Sequence, residues 1–323
     1  MMASMVRLVV FALGISSVVA QLTLLRELLA AFHGNELALG VFLGNWLLLT
    51  GVGAAMGRRA KGGRRGEGQL IRGQLWIAVT PVLGLLALRV LRDVLFMRGA
   101  DVGIPAAMLG SIVVLGPYCL MSGYVLTLGV ALLSNVEGGK GLGTVYVADS
   151  IGSVVGGLAF TFVLTRWLDH FAILWCVGWL SLIAAAYCGY VWRKERTRPV
   201  WALMAVAWVV MCVSGVDAWS TRRQFPGQEI VFTGNSPYGR VVLTRADGQL
   251  NLSENGVATP LAADPARVEE TVLCALAQRP DARHVLLLGG GVTGTGRLLL
   301  EHGVARVTYV ELDPLVVELG RRF

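Results

Sequence analysis

Charged side chains are scarce in this sequence. Asp, Glu, Lys and Arg make up 15% of its 323 residues, whereas hydrophobic residues make up 55%. A soluble globular domain carries about 25% charged residues, so this composition excludes a chain that is soluble throughout. The scarcity is confined to the residues before position 217, and the charge density is ordinary after it. We therefore predict a membrane-embedded part followed by a water-exposed part.

Cysteine and histidine are too few and too scattered to form a framework. The chain has five cysteines and four histidines, and it contains no CxxC pair and no His-rich cluster. We therefore predict neither a metal site nor a disulfide scaffold. The net charge of +7 comes largely from short loops between apolar segments. Such loops set membrane topology, so we expect no nucleic-acid partner.

Long apolar segments fill the first two thirds of the chain. A helix needs about 20 apolar residues to cross a bilayer core. The first segment lacks a cleavage pattern and is followed by six more, so we interpret it as a span and not as a signal peptide. The predicted spans are residues 5–25, 37–57, 74–92, 104–133, 144–165, 171–192 and 199–216.

Two loops carry most of the basic residues of the predicted bundle. Residues 57–72 hold six Lys or Arg, and residues 193–198 hold four. An even number of predicted spans separates the loops, so both lie on one side, which the positive-inside rule makes cytoplasmic. We predict a multi-pass protein of the bacterial inner membrane, with the lipid bilayer as its partner.

Small and polar residues within the predicted spans suggest how the bundle packs. Gly40-x-x-x-Gly44 and Gly53-x-x-x-Gly57 in the second span are typical of close helix pairs, as is Gly152-x-x-x-Gly156 in the fifth. Among polar residues, we expect Arg26 and Glu27 to be interfacial. Asp149 is the charge predicted to lie within the bilayer, where it either caps or pairs locally or lines a substrate path.

The pattern changes after residue 217. The stretches Asn-Ser-Pro-Tyr-Gly, Ala-Asp-Gly and Glu-Asn-Gly separate short apolar runs and predict tight hairpins. A helix is predicted next, with Asp264 as its N-cap and Pro265 at its first position. We therefore predict a small β-rich subdomain over residues 217–262 and an α/β region over residues 263–323.

The segment HVLLLGGGVTGTGRLLLEHGVARVTYVELD, residues 284–313, has the order strand, glycine turn, helix and strand. Gly289, Gly291 and Gly294 would let the backbone turn sharply and approach a ligand. Glu311 follows Gly289 by twenty-two residues, at the end of the second strand. An acid at that position holds ribose hydroxyls in doubly wound folds. The segment therefore predicts a nucleoside-binding βαβ unit.

The stretches NSPYGRVVLTR, LSENG, EETV, VLLLGGGVTGTGRLLLEHG and VTYVELDP resemble those of the spermidine synthases, which are aminopropyltransferases. The whole chain is similar to bacterial membrane proteins that fuse a multi-span half to a spermidine-synthase-like domain. The resemblance implies polyamine synthesis from decarboxylated S-adenosylmethionine, or a related use of S-adenosylmethionine, with a polyamine as substrate. The residues that it implies for cofactor binding are Gly289, Gly290, Gly291, Gly294, Glu311 and Asp313.

The expected fold is a multi-span α-helical membrane bundle (residues 1–216), the β-rich subdomain (217–262) and the start of a Rossmann or methyltransferase-like domain (263–323). Only one βαβ unit of that last domain is present. One parallel strand pair cannot cover its own apolar faces. We therefore expect this chain to be incomplete, as a truncated or split product, or to be completed by a partner polypeptide that supplies the remaining strands.

Two departures from the family pattern leave the catalytic residues unassigned. Spermidine synthases carry an acid within the glycine turn, where this chain has Val292 and Thr293. They also carry Tyr-His-Glu in the preceding helix, where this chain has Val-Leu-Cys at residues 272–274. A catalytically inactive binding or assembly protein therefore stays an alternative, as does a transporter-like bundle with a sensor domain.

Two arguments disagree about the side of the membrane on which residues 217–323 lie. Seven spans place residues 217–323 outside the cytoplasm, whereas S-adenosyl nucleotides are cytosolic. Arg222 and Arg223, just after the last predicted span, favour the inside. The sequence leaves both locations open.

Overall fold

The computed structural model describes residues 2–32, 36–59, 64–95, 103–193, 215–260 and 265–323, together with residues 202, 206, 207 and 210. The chain divides into two compact units, Met1–Gln224 and Phe225–Phe323. The first unit is helical, and the second contains both sheets and helices. The predicted seventh span, 199–216, lies almost entirely outside the described residues.

Long helices make up the described part of the first unit. A π-helical segment and a short helical turn extend the helix of residues 141–159 to Trp167, and another π-helical segment extends the helix that begins at His170 to Arg193. The helices are α1 (Met2–Ala31), α2 (Glu36–Gly57), α3 (Arg64–Leu95), α4 (Ile104–Glu137), α5 (Gly141–Ala159), α6 (His170–Cys188) and α7 (Val216–Gln224).

Five candidate membrane spans are present among the described residues, judged by length and apolar composition. The fourth candidate, Ile104–Trp167, is 64 residues long and comprises both α4 and α5. The chain reverses between these two helices at Gly138, whose φ is 61°. The first six predicted spans therefore all lie on helices, although α1 and α3 extend well beyond the predicted limits.

Glycines bring two helix pairs into backbone contact. A side chain on Gly53 would lie 2.1 Å from the carbonyl oxygen of Leu120, where α2 crosses α4. A side chain on Gly152 would lie 2.2 Å from the carbonyl oxygen of Phe11, where α5 crosses α1. By contrast, a side chain on Gly40 or Gly44 would have no neighbour within 4 Å among the residues that the structure describes. The same spacing therefore marks a helix contact in one half of α2 and none in the other.

The second unit begins with an antiparallel meander. Its strands are β1 (Glu229–Asn235), β2 (Arg240–Ala246), β3 (Gln249–Glu254) and β4 (Val257–Pro260), paired in that order. Asp247 and Asn255 have positive φ values of 50° and 49°, and a glycine follows each. Two consecutive residues with positive φ form the turn that matches strand twist. The predicted hairpins at Ala-Asp-Gly and Glu-Asn-Gly are therefore present.

A βαβ unit follows the meander. The parallel strands β5 (His284–Leu288) and β6 (Arg306–Val310) pair in register from His284 with Arg306 to Leu288 with Val310. One face of the pair packs on a core of Val272, Leu299 and Val304, whereas the other face exposes Leu286, Leu288 and Val310. The helices of this region are α8 (Pro265–Gln278), α9 (Thr295–Glu301) and α10 (Pro314–Arg322). The predicted N-cap of α8, Asp264, lies outside the described residues.

The amphipathic helix α10 joins the meander to the βαβ unit. Its buried residues Val316 and Leu319 pack against Val241, Leu243 and Leu252 of the meander. The helix begins directly after β6 and its acidic loop. The meander, the glycine turn and the end of β6 therefore meet around α10.

Candidate functional site: a glycine turn beside three carboxylates

The turn after β5 has a backbone that requires glycine at three positions. Gly289, Gly290 and Gly294 have φ values of 71°, 67° and 91°. Residues with a side chain rarely adopt this region because the Cβ atom meets the following carbonyl. Apart from the adjoining residues, no atom of the described part of the chain lies within 4 Å of the position of a Cβ on any of these three glycines. Their surroundings are therefore open, as the sequence prediction of a ligand-facing turn requires.

Gly291 lacks a side chain for a different reason. A Cβ there would lie 2.5 Å from the ring of Tyr309, which projects from β6. The space next to Gly291 is thus taken by a side chain of this same chain. Of the four glycines predicted to line a cofactor, three border open space and Gly291 borders Tyr309.

Glu311 lies at the carboxyl end of β6 and is half-buried. Its Oε2 atom accepts a hydrogen bond of 2.5 Å from the hydroxyl of Tyr309, and its Oε1 atom accepts one of 2.8 Å from the amide of Leu312. These two bonds fix the carboxylate close to the glycine turn. Oε1 also accepts from the amide of Asp313 at 3.5 Å, whereas Oε2 keeps a second lone pair, so this oxygen retains the capacity to accept from a sugar hydroxyl.

Asp313 is buried and has a structural role in the described contacts. Its Oδ1 atom accepts from the amide of Leu315 at 2.9 Å, which makes it the N-cap of α10. Its Oδ2 atom accepts from the hydroxyl of Ser236 at 2.5 Å. Ser236 in turn accepts from the amides of Tyr238 and Gly239, both at 3.1 Å. Asp313 therefore ties the meander to α10, a role that its predicted assignment to cofactor binding did not include.

A third carboxylate, that of Glu254 at the end of β3, adds to the negative charge at this place. Burial raises the pKa of Glu254, and the neighbouring charges of Glu311 and Asp313 raise it further. The pKa of Tyr309 is also raised, first by burial and then by the carboxylate of Glu311. Glu311 and Asp313 therefore act on Glu254, and the negative charge of this region favours a cation.

The arrangement combines open space with negative charge, which suits an organic cation. The described residues contain no group of three or more His, Cys, Asp or Glu side chains that could hold a metal ion. An open glycine turn accommodates a flat or extended ligand, and carboxylates on the adjoining strand ends accept from hydroxyl or ammonium groups.

A second polar cluster lies in the helical unit and was missed by the sequence prediction. Arg89 of α3 is buried and donates to Glu27 of α1 through two nitrogens, one of them at 3.2 Å. Its third nitrogen donates to Asp217 at 2.6 Å and to Ser220 at 2.9 Å, both on α7. His170 Nδ1 lies 2.6 Å from Glu27 Oε1. We call these five residues the Arg89 cluster.

The Arg89 cluster gives Glu27 buried contacts that the expectation of an interfacial residue did not include. Glu27, expected to be interfacial, is 2% exposed and paired with a cation 62 positions away. A buried charge requires such a partner. The signal was an arginine inside the predicted span 74–92 together with a glutamate near the end of the first span. Asp149, the expected intramembrane charge, is half-buried on α5, where its backbone carbonyl contacts Gly14 of α1.

Comparison with known proteins identifies the relatives of this chain. It is 30% identical over 191 residues to a protein of Corynebacterium efficiens named polyamine aminopropyltransferase. It is 31% identical over 195 residues to a Mycobacterium tuberculosis protein of the same name. The resemblance to aminopropyltransferases predicted from the sequence motifs is thereby confirmed. No family profile and no solved structure matches the chain.

Coverage differs between the relatives. The two matches above cover 56% and 57% of this chain and 37% of each relative. Polyamine aminopropyltransferase 1 of Streptomyces coelicolor is 28% identical over 305 residues, which is 88% of this chain and 57% of the relative. The unmatched 12% is shorter than either compact unit, so this match includes parts of both. The chain spans about one third to three fifths of the length of these relatives.

Proposed function

We propose that this chain carries the membrane anchor and the donor-binding part of a polyamine aminopropyltransferase. The three relatives reported above, which bear that name, carry the proposal. The five candidate spans support the anchor. The glycine turn and the parallel strands β5 and β6 support a Rossmann-like donor domain, of which the βαβ unit is one part.

The proposed reaction transfers an aminopropyl group from decarboxylated S-adenosylmethionine to an amine. A neutral amine nitrogen of the polyamine attacks the carbon next to the sulfonium. The new C–N bond forms as the C–S bond breaks, the sulfur keeps the electron pair and becomes a thioether, and the attacking nitrogen loses a proton. Both substrates are cationic, so a site with converging carboxylates favours them.

Individual residues of this chain have separate roles in the proposal. Glu311 accepts from the ribose hydroxyls of the donor. The absence of side chains at Gly289, Gly290 and Gly294 lets the donor approach the protein backbone. Glu254 contributes negative charge near the sulfonium. No residue of this chain is assigned as the base that takes the amine proton.

Binding of the labelled donor tests the proposal. The full chain in lipid nanodiscs should bind decarboxylated S-adenosylmethionine, and Glu311→Ala should weaken binding at least tenfold, because a hydrogen bond to a charged group contributes about 1.5–3 kcal/mol. Glu318→Ala, which removes an exposed carboxylate of α10, is the matched control and should bind normally. Equal binding by Glu311→Ala and the unchanged chain would refute the assigned role.

One observation favours a second candidate function, a binding or assembly protein without transferase activity. The Tyr309 side chain occupies the space beside Gly291 and engages Glu311, and the turn has Val292 and Thr293 where the family has an acid. Under this candidate, aminopropyl transfer stays absent even when Tyr309→Phe releases the carboxylate. Transfer by either protein, measured with a labelled donor and a diamine, would exclude it.

A further inference from the structure

We infer that a groove beside the last turns of α2 binds one anionic phospholipid, whose phosphate lies at Arg58. The groove is bounded by α2, α4 and α5 and has a volume of about 400 Å³, which is within the range of about 300–1,000 Å³ for small-molecule sites. We call it the Arg58 groove. The inference rests on the membrane anchoring in the proposed function and assigns a ligand to the helical unit, whose residues do not include the donor site.

One face of α2 leaves the space that forms the Arg58 groove. Four lining residues of this helix follow the spacing i, i+3, i+4 and i+7, which places them on one side of it. They are Gly51, Ala54, Ala55 and Arg58. A side chain on Gly51 would meet no atom of another described element within 4 Å. Apolar side chains of α4 and α5, among them Leu126 and Leu142, form the opposite wall. The groove is therefore largely apolar along α2 and basic where the helix ends.

The length and position of the groove suit a lipid that stands in one leaflet. Arg58 directly follows the candidate span Leu37–Gly57 and belongs to the basic loop 57–72. Seven helical residues separate Gly51 from Arg58, which is about 10 Å at 1.5 Å per residue. One leaflet contributes about half of a hydrocarbon core of about 30 Å. The groove therefore extends from the membrane surface toward the bilayer centre, as the headgroup and acyl chain of a phospholipid do.

The cation at the end of the groove is not neutralised. Arg58 is exposed, and no carboxylate of the described residues forms an ion pair with it. The sequence of residues 57–66 contains no acidic residue either. A guanidinium binds a phosphate through two parallel hydrogen bonds, and basic segments at the membrane surface attract anionic lipids. Tyr146 of α5, which is 57% exposed and lines the groove, adds a ring with a polar tip that suits the interface.

A second groove provides an internal comparison. It lies between α1 and α5, has a volume of about 440 Å³ and is also lined by one arginine, Arg7. The guanidinium of Arg7 donates to the carboxylate of Glu137 at 2.5 Å. The charge of Arg7 is therefore already balanced, and this groove lacks the charge complementarity that favours a phosphate at Arg58.

Native mass spectrometry of the full chain in detergent tests the inference. The chain titrated with phosphatidylglycerol should retain one lipid, and phosphatidylcholine with the same acyl chains should bind several-fold more weakly, because its headgroup carries no net charge. Arg58→Gln should weaken phosphatidylglycerol binding by about tenfold. Arg59→Gln makes the same charge change at a residue that does not line the groove and should bind like the unchanged chain. Equal binding of the two lipids, or equal binding by the two variants, would overturn the inference.

Two other occupants of the groove would give different results in the same titration. Excess inorganic phosphate should leave the lipid bound, because it has no acyl chain for the apolar part of the groove. Displacement of the lipid by phosphate would overturn the inference. A second copy of the chain in the groove would appear as a dimer that excludes the lipid, and this result would overturn it as well.

A photoreactive phosphatidylglycerol with a diazirine in its acyl chain locates the bound lipid. In the full chain it should label residues 51–58, and Ala55→Trp, which fills the groove, should abolish this label. Met56→Trp changes an exposed side chain of the same turn that does not line the groove and should keep the label. Label that persists in Ala55→Trp would contradict the assigned site. Donor binding is a separate measurement: absent lipid binding beside an intact donor titration refutes the groove alone, whereas a failed donor titration leaves the lipid result in place.

Discussion

The crossing of α2 and α4 gives a stability prediction with a matched control. An alanine Cβ at Gly123 of α4 would lie 2.0 Å from the carbonyl oxygen of Thr50 and 2.8 Å from the amide nitrogen of Ala54. Both neighbours are backbone atoms of a helix, so neither can move aside alone. A Cβ at Gly116, two turns earlier in α4, would have no described atom of another element within 4 Å. Gly123→Ala should therefore destabilise the bundle, whereas Gly116→Ala should not.

The magnitude follows from this geometry. Ordinary contact begins near 3.4 Å, so the Gly123→Ala helices must separate locally by about 1.4 Å. Overpacking of this kind costs about 1–3 kcal/mol. Alanine also favours the helix over glycine by about 1 kcal/mol, but that gain is common to both variants. The difference between Gly123→Ala and Gly116→Ala therefore isolates the clash, at about 1–3 kcal/mol.

Unfolding of the purified full chain in mixed micelles would measure this difference. Tryptophan fluorescence followed against SDS content gives a midpoint and a free energy for each variant. We expect Gly123→Ala to unfold at lower SDS than the unchanged chain and Gly116→Ala at the same or higher SDS. Equal free energies for the two alanine variants would show that α2 and α4 do not approach as closely as the structure places them.

Three further predictions concern the carboxylate site. Burial and neighbouring charges raise the pKa of Glu254, so its ionisation opposes folding as the pH rises. Glu254→Gln should therefore raise the thermal midpoint of unfolding near pH 7. Below about pH 4, where Glu254 is protonated in both the folded and the unfolded chain, it should not. Asp313→Ala removes the α10 cap and the acceptor of Ser236, and should cost about 1–3 kcal/mol in the unfolding assay; an unchanged midpoint would contradict this. Tyr309→Phe releases one oxygen of Glu311 and should tighten donor binding by up to about tenfold, whereas weaker binding would mean that the hydroxyl contacts the donor.

Local patterns in the sequence were sufficient for the individual elements. Apolar runs of about twenty residues predicted six helices that the structure contains, because a helix of about that length is needed to cross the hydrocarbon core of a bilayer. Asx-Gly pairs predicted the turns at Asp247 and Asn255, because positive φ is a property of those residues. Asp313 before Pro314 carries the same capping signal that predicted Asp264 before Pro265, and it could have been read in the same way.

Relations between distant elements could not be predicted from local patterns. Gly40 and Gly53 belong to identical spacings, yet of the two only Gly53 meets another helix in the described part of the chain, because the crossing point depends on how two helices tilt. Glu27 and Arg89 are separated by 62 positions. The residues around each of them do not indicate which charge will be its partner. The ring of Tyr309 beside Gly291 likewise depends on the pairing of β5 with β6.

The amino-acid order alone determined the apolar helices, the hairpins, the glycine turn and the resemblance to aminopropyltransferases, since each is encoded within a few neighbouring residues or one helix length. The tertiary structure decided which charges are buried together, which oxygens of Glu311 and Asp313 are already engaged, and at which end of the bundle α7 begins. Those features follow from contacts between elements far apart in the chain, where packing and the cost of an unpaired buried charge select one arrangement.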